Sequence, residues 1–410
     1  MKILLLNQFF WPDSSATSQL LTDLARSLAA EGHEVTAISS DSGGYAVSAS
    51  NRDTPPVSIH RVKALPFVRG TLGRLLSYLS FYVSAAARGL LLPKQDLVLT
   101  LTTPPLLSLL GTLIKAVRGS RHFIWEMDVY PDVAVDLAYF KAGGFADRVI
   151  GAFADYSRRF ADGIIALGEC MKDRLVGRGI PQERIFVADN WADGSAIQPL
   201  ARVSSADQLV LLYSGNLGLA HDLSTITSSI ASLKDDSRFH FLFVGSGGRR
   251  AELSAFVEER GIRSVELRPY VQRQSLSESL SAGDIGLVTQ RDACCGSVVP
   301  SKVYGLLAAG RPVLFIGPAA ATPARIIARF ACGWHIDVGD DGQLTALLQH
   351  LADHPEEVQR AGLAARRALL EHFDLPHGVE RILTVLGAHR SLSLLSPFAP
   401  LPVRSANSAS

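Results

Sequence analysis

A short apolar run, an amphipathic stretch and a second apolar run open this chain, and the same pattern starts again near its middle. Residues 2–7 are apolar and bounded by a polar loop. Residues 17–31 follow with Leu20, Leu21, Leu24, Ala25, Leu28 and Ala29 at helical spacing, Gly32 and His33 end that stretch, and residues 34–39 are apolar again. Runs of this kind suit strands covered on both faces, and such a unit closes as a right-handed crossover between parallel strands. Further apolar runs at 97–102, 122–125, 163–167 and 185–187 extend a first sheet. The restart predicts strands at 208–214, 239–244, 265–267, 285–288 and 312–316, with a helix at 223–234.

The expected fold is therefore α/β, with two Rossmann-like doubly wound domains facing across a cleft. A chain of 410 residues suits two such domains better than one. Residues 1–190 form the first, 191–206 an Ala/Ser/Asp-rich linker and 207–373 the second, which closes on a helix at 356–373. A C-terminal helix is expected over 374–389, and the aperiodic tail 390–410 is expected to be disordered. Sheets of this type bind ligands beyond the carboxyl ends of their strands, so the loops there are the places to look for chemistry.

What is absent narrows that chemistry. There is no G-x-x-x-x-G-K-[ST], no H-E-x-x-H, no full G-x-G-x-x-G after either first strand and no Asp-x-Asp. A nucleotide ligand bound without a dedicated metal or other cofactor is what remains. Forty basic residues against 39 acidic ones give no reason to expect a nucleic-acid partner. The four cysteines contain no C-x-x-C pair, and Cys294 and Cys295 are adjacent, which suggests free thiols and a cytoplasmic setting. The apolar start is interrupted at Asn7 and Gln8, so it reads as a first strand rather than a signal peptide.

Segments at several strand ends could carry function. In the run from Val299 to Val313, Ser301 is a candidate N-cap for a helix that starts with Lys302 and Val303. Free N–H groups and a lysine at a helix start suit a phosphate; a solvated lysine beside an ordinary cap fits the same pattern. Gly215, Asn216 and Gly218 form a turn that lets backbone approach a ligand closely, or simply a strand-to-helix turn. Gly245, ahead of Arg249 and Arg250, and the pair Tyr270 and Val271 could sit near a base. In the first half, Glu126 and Asp128 follow a strand and could orient or deprotonate a hydroxyl, with Asp13 and Thr17 facing the same cleft; Asp128 could equally cap the next turn.

Taken in order, MKILLLNQFFWPD, GHEV, ADGIIALGECMKDRL, NWADG, YSGNLGLAHDL, VGSGG and VPSKVYGLLAAGRPV resemble the retaining GT-B glycosyltransferases of family 4. The nearest likeness is to the subgroup that builds bacterial surface polysaccharide and lipopolysaccharide, including fucosyl- and N-acetylhexosaminyl-transferases. The resemblance runs from Met1 to about residue 388. It implies a hexosyltransferase that moves a sugar, with retention, from a nucleotide-diphosphate donor to a saccharide or lipid-linked acceptor. Gly215, Asn216 and Gly218 would then line the diphosphate with Lys302 (flanked by Ser301 and Val303) as its cation, and Gly245, Tyr270 and Val271 would lie near the base. Asp128 would serve the acceptor side. Two glutamates usual in the family read Ser297 and Gly305 here, and the usual His-Asp reads Met127-Asp128. A nucleotide-sugar 2-epimerase of the same fold, using Asp128, Glu126, His221 and His122, and a non-catalytic scaffold of a polysaccharide-assembly complex are the alternatives.

Residues 68–92 place Arg69, Arg74 and Arg88 among apolar residues. That run is short of the roughly 20 apolar residues needed to span a bilayer. It reads as a basic amphipathic helix, lying on the inner face of the cytoplasmic membrane or packed in the core.

Overall fold

The computed structural model describes residues 1–41, 54–65, 71–201, 208–271 and 275–387. Val68, Arg69, most of the linker's second half and the tail beyond residue 387 lie outside the described residues, as does the side chain of Arg74.

Two wholly parallel sheets form the frame. The first holds β1 (Lys2–Leu6), β2 (Glu34–Ser40), β3 (Ser58–Val62), β4 (Leu97–Thr100), β5 (Arg121–Trp125), β6 (Gly163–Ala166) and β7 (Ile185–Val187). Their order across the sheet is β3-β2-β1-β4-β5-β6-β7. The second holds β8 (Leu209–Ser214), β9 (Phe239–Val244), β10 (Val265–Arg268), β11 (Ile285–Thr289), β12 (Val313–Ile316) and β13 (Gly333–Ile336), ordered β10-β9-β8-β11-β12-β13. Each sheet reverses its winding beside its first strand, between β1 and β4 and between β8 and β11. Such switch points open a crevice at the carboxyl ends of the strands.

The central strands are continuous apolar runs because both faces are covered. Ile3 and Leu5 point into one apolar cluster, and Leu4 and Leu6 into another on the opposite face. In the second sheet Leu211 and Tyr213 alternate in the same way with Val210 and Leu212. The helix Ala16–Ala30 buries Leu20, Leu21, Leu24, Ala25 and Leu28, the stripe read from the sequence.

The expected helix over 356–373 is an α-helix at Pro355–Ala368 that loosens into a π turn at Leu369–Phe373. Beyond it the helix Leu375–Gly387 returns to the first domain, where Val379, Ile382, Val385 and Leu386 join the core around β5 and β6. The return crossing lies against the outgoing one: the Ala192 N–H donates to the Phe373 carbonyl, and the Leu375 N–H donates to that of Ala192.

Candidate functional site

The carboxyl edge of the second sheet is built around glycines that bring bare backbone together. β8 ends at Ser214, and Gly215 follows at φ +123°. Gly245, just after β9, has φ +137°, and a Cβ there would stand 2.1 Å from the Gly215 carbonyl oxygen. Gly247, at φ +141°, packs as closely on Leu217, where a Cβ would lie 2.3 Å from the carbonyl oxygen. Only glycine tolerates this backbone conformation together with that contact. The Leu217 N–H donates to the Ser246 carbonyl at 2.7 Å and ties the two loops together.

Lys302 lies across this turn. A Cβ on Gly215 would come within 2.9 Å of Lys302 Cε, so the missing side chain leaves a channel for the lysine stem. Its Nζ donates to the Asn216 carbonyl at 2.7 Å and to the Tyr213 hydroxyl, and sits 4.0 Å from the Tyr213 ring centroid. His221 Nε2 is 3.1 Å away. Burial pushes the Lys302 ammonium down to about 7.

Three details depart from the sequence reading. Ser301 stands at the N-cap position, but its backbone is helical (φ −73°, ψ −14°) and its side chain makes no cap bond. A flanking residue in that conformation has already joined the turn, so the hydroxyl is not aimed at the free N–H groups. The Val303 side chain is fully buried in the core and does not face the cleft, which leaves only its backbone for a ligand. Tyr270 is exposed, whereas Val271 packs on Val210, Leu212, Leu242 and Val244.

Tyr213 was read only as the start of the glycine segment and His221 only as an acid/base candidate of the epimerase alternative; neither was read as a partner of Lys302. His221 Nδ1 is 2.6 Å from the Thr289 carbonyl, so Nδ1 carries the proton and the Nε2 lone pair faces Lys302. Burial first, then the nearby Lys302 charge, holds His221 down to about 3, and the ring is neutral. A histidine six residues beyond Gly215 is visible in the sequence. Its partner is 81 residues away and is not.

On the first domain the chain leaving β5 passes through Glu126 and Asp128. Glu126 is only 2% exposed, and its Oε1 accepts from Arg158 Nε at 2.6 Å. The pair with Arg158 holds one oxygen of Glu126, so the acceptor role expected of it rests on Oε2, which is buried without a hydrogen-bond partner and lines the same small cavity as Asp128. Asp128 is half-buried, and its N–H faces the Thr102 hydroxyl at 3.3 Å. Burial, and then the Glu126 charge, push its carboxyl up to about 6. Asp13 Oδ1 accepts from the Ser15 N–H at 2.8 Å and closes the turn after β1, with Thr17 half-buried one step inside the helix Ala16–Ala30. His122 lies inside the first sheet, fully buried and hydrogen-bonded to Thr100 at 3.0 Å, which removes it from the groups an epimerase could use.

One loop joins the two halves of the site. The segment after β11 reaches across the cleft, where Val298 forms an antiparallel bridge with Asp128 and the Ser297 carbonyl accepts from the Val129 N–H at 2.8 Å. Arg174 clamps it from the first domain, donating to the Cys295 carbonyl at 3.1 Å while holding both Asp136 oxygens at 2.8 and 2.9 Å. Asp128, which follows β5, thus meets this loop at Val298, four residues before Lys302.

With this geometry in view, residues 16–191 match the family model described as glycosyl transferase 4-like domain, and residues 200–368 that of glycosyl transferases group 1. The chain belongs to the GT-B glycosyltransferases. It is an enzyme of the hexosyltransferase class. Among its relatives is the putative colanic acid biosynthesis glycosyl transferase WcaI of Escherichia coli (strain K12), 27% identical over 335 residues, covering 76% of this chain and 82% of the relative. The probable glycosyltransferase WbjE of Pseudomonas aeruginosa is 27% identical over 325 residues, 73% of this chain and 79% of the relative. Anabaena HepE, solved with UDP and glucose, superposes with a TM-score of 0.72 at 16% identity over 95% of this glycosyltransferase and 100% of that chain, which shows a shared fold.

Proposed function

We propose that this glycosyltransferase moves a sugar from a nucleotide-diphosphate donor to a saccharide or lipid-linked saccharide, with retention, in surface-polysaccharide biosynthesis of the family 4 type. The observation that carries the reading is the pairing of Lys302 on the glycine turn with Asp128 across the cleft, joined by the Val298 bridge. Lys302, with Gly215, Asn216 and Gly218, faces the leaving diphosphate. A cation fixed there stabilises charge as it develops, and one such preorganised donor is worth on the order of 3 kcal/mol. Gly245, Tyr270 and the Val271 backbone lie toward the base. Asp128 orients the acceptor hydroxyl, with Asp13 and Thr17 on the acceptor side and the leaving phosphate taking the proton. The donor is a substrate, and the reading uses no metal and no resident cofactor. The relatives' names and the UDP held by HepE support it. Calorimetry and turnover with UDP-, GDP- and dTDP-sugars test it: one of them should bind and release its nucleotide when acceptor is supplied, and binding of none would overturn the assignment.

The partner surface follows from exposed apolar side chains on adjacent helices. Among the described residues no helix is long and apolar enough to cross a membrane. The helix Thr71–Leu91 buries Phe81 and Ala85 yet leaves Leu75, Leu79 and Val83 exposed. The helix Phe145–Phe160 exposes Phe145, Val149, Phe153, Tyr156 and Phe160 at helical spacing, with Arg148 and Arg159 exposed beside them. The helix Ser108–Arg118 packs between the two and exposes Leu113 and Val117. An apolar face with a basic rim suits a cytoplasmic, peripheral enzyme on an anionic lipid surface. Flotation with anionic phospholipid vesicles should be lost when Leu79 and Phe153 become glutamate; unchanged flotation would sink this part.

A further inference from the structure

We propose that His221 is a positioning residue for Lys302, a neutral acceptor that fixes the ammonium over the glycine turn without cancelling its charge. The inference rests on the transferase reading above and assigns a role to a residue outside the expected site.

A lysine ammonium has three donors and a flexible four-carbon stem, so without partners it samples many positions. Here three acceptors converge on Nζ: the Asn216 carbonyl, the Tyr213 hydroxyl and His221 Nε2. All three are neutral, since His221 has given its proton to the Nδ1 side, where it meets the Thr289 carbonyl at 2.6 Å. A carboxylate in the place of His221 would hold Lys302 as well but neutralise the charge that an incoming diphosphate needs. A second cation would repel it.

The surroundings of His221 keep it in that state. Its ring edge packs on Tyr213, with centroids 5.7 Å apart. Arg249 donates to the His221 carbonyl at 2.6 Å and adds positive charge nearby, which disfavours a protonated imidazole. The neighbouring Asp222 carboxylate is turned to the Ser224 hydroxyl at 2.7 Å and the Thr225 N–H at 3.1 Å, not to the His221 ring. The tautomer is therefore set by Thr289 at the end of β11, the strand whose following loop leads to Lys302. The lysine and its acceptor are both anchored at the β8–β11 switch point.

The test is a mutant cycle on the full-length enzyme with the donor it turns over. His221→Leu should lower kcat roughly ten- to a hundredfold with a smaller change in KM, as expected when a charged group is misplaced by about an ångström. His221→Gln, which keeps an acceptor near Nε2, should recover most of the loss. In a Lys302→Met background His221→Leu should change nothing further, because its only task has gone. A full His221→Leu effect in that background, or a Gln variant no better than Leu, would overturn the proposal. A second readout needs no donor: in protein carrying 13C-labelled lysine, the Lys302 Cε resonance, identified by its loss in Lys302→Met, should titrate at lower pH in His221→Leu. An unchanged titration overturns the positioning role. Absence of turnover by the wild type with every donor would instead count against the transferase reading.

Discussion

The Gly215 carbonyl oxygen lies where a side chain on Gly245 would have to begin, 2.1 Å from an added Cβ. The loops after β8 and β9 therefore meet through backbone alone, and Lys302 rests on the far side of the same Gly215. A methyl group on Gly245 should push the loops apart and force a residue with a side chain to φ +137°. Gly245→Ala is expected to cost about 2–5 kcal/mol, from strained backbone and overpacking together. Gly248→Ala, three residues on in open space, serves as the control. Thermal unfolding should separate them; equal midpoints would mean that the backbone contact is not tight.

Asp128 carries a second expectation, with opposite signs for stability and activity. Its carboxyl is raised from 3.8 to about 6, by burial first and by Glu126 second. The folded protein then holds a proton that the unfolded chain releases between those values, so stability falls as pH rises through that window. Asp128→Asn should remove the penalty and stabilise the protein at pH 7 by up to about 3 kcal/mol. If the carboxylate orients or deprotonates the acceptor, the same change should lower turnover by about 10²–10⁴, and the wild-type acid limb should lie at about 6. A variant that is both active and more stable would remove Asp128 from the chemistry.

Strands covered on both faces were legible because burial makes them continuously apolar, as in Leu4–Leu5–Leu6 of β1 or Val313–Ile316 of β12. The strands left unread, β3 and β13, lie at the outer edges of their sheets. There Ser58, His60 and Arg61, or Gly333 and His335, interrupt the apolar run, since an edge strand is only half covered. In the site, Gly215, Gly245 and Lys302 were readable because glycine after a strand and lysine at a helix start each state a local need. Pairings were not. Nothing local to Glu126 announces Arg158, 32 residues away, and nothing near Lys302 announces His221.

The Glu126–Arg158 pair gives a third expectation. Both side chains are 3% exposed, and Asp155 adds a second contact to Arg158 at 3.1 Å. Removing only the arginine leaves a buried carboxylate with no counter-charge beside Asp128. Arg158→Met should destabilise by about 3–5 kcal/mol. Arg158→Met with Glu126→Leu should recover much of that loss, and chemical denaturation of the three proteins would show whether it does. A single mutant as stable as the wild type would mean that water reaches Glu126.

Lys302 links ligand binding to pH. Burial lowers its ammonium from 10.5 to about 7, so over that interval the unfolded chain binds the proton more readily and stability rises with pH. Lys302→Met should flatten that rise and raise stability at neutral pH. A bound diphosphate reverses the electrostatic balance, because two or more negative charges beside Nζ favour the ammonium. Donor binding above pH 7 should then take up a proton, and donor affinity should weaken as pH climbs, by at most about tenfold per unit. Calorimetry in two buffers of different ionisation enthalpy reads the uptake directly. Lys302→Met should show no uptake and about 10²-fold weaker turnover, the scale of one lost transition-state donor. Equal proton uptake by both proteins would place the titrating group elsewhere and separate Lys302 from the diphosphate.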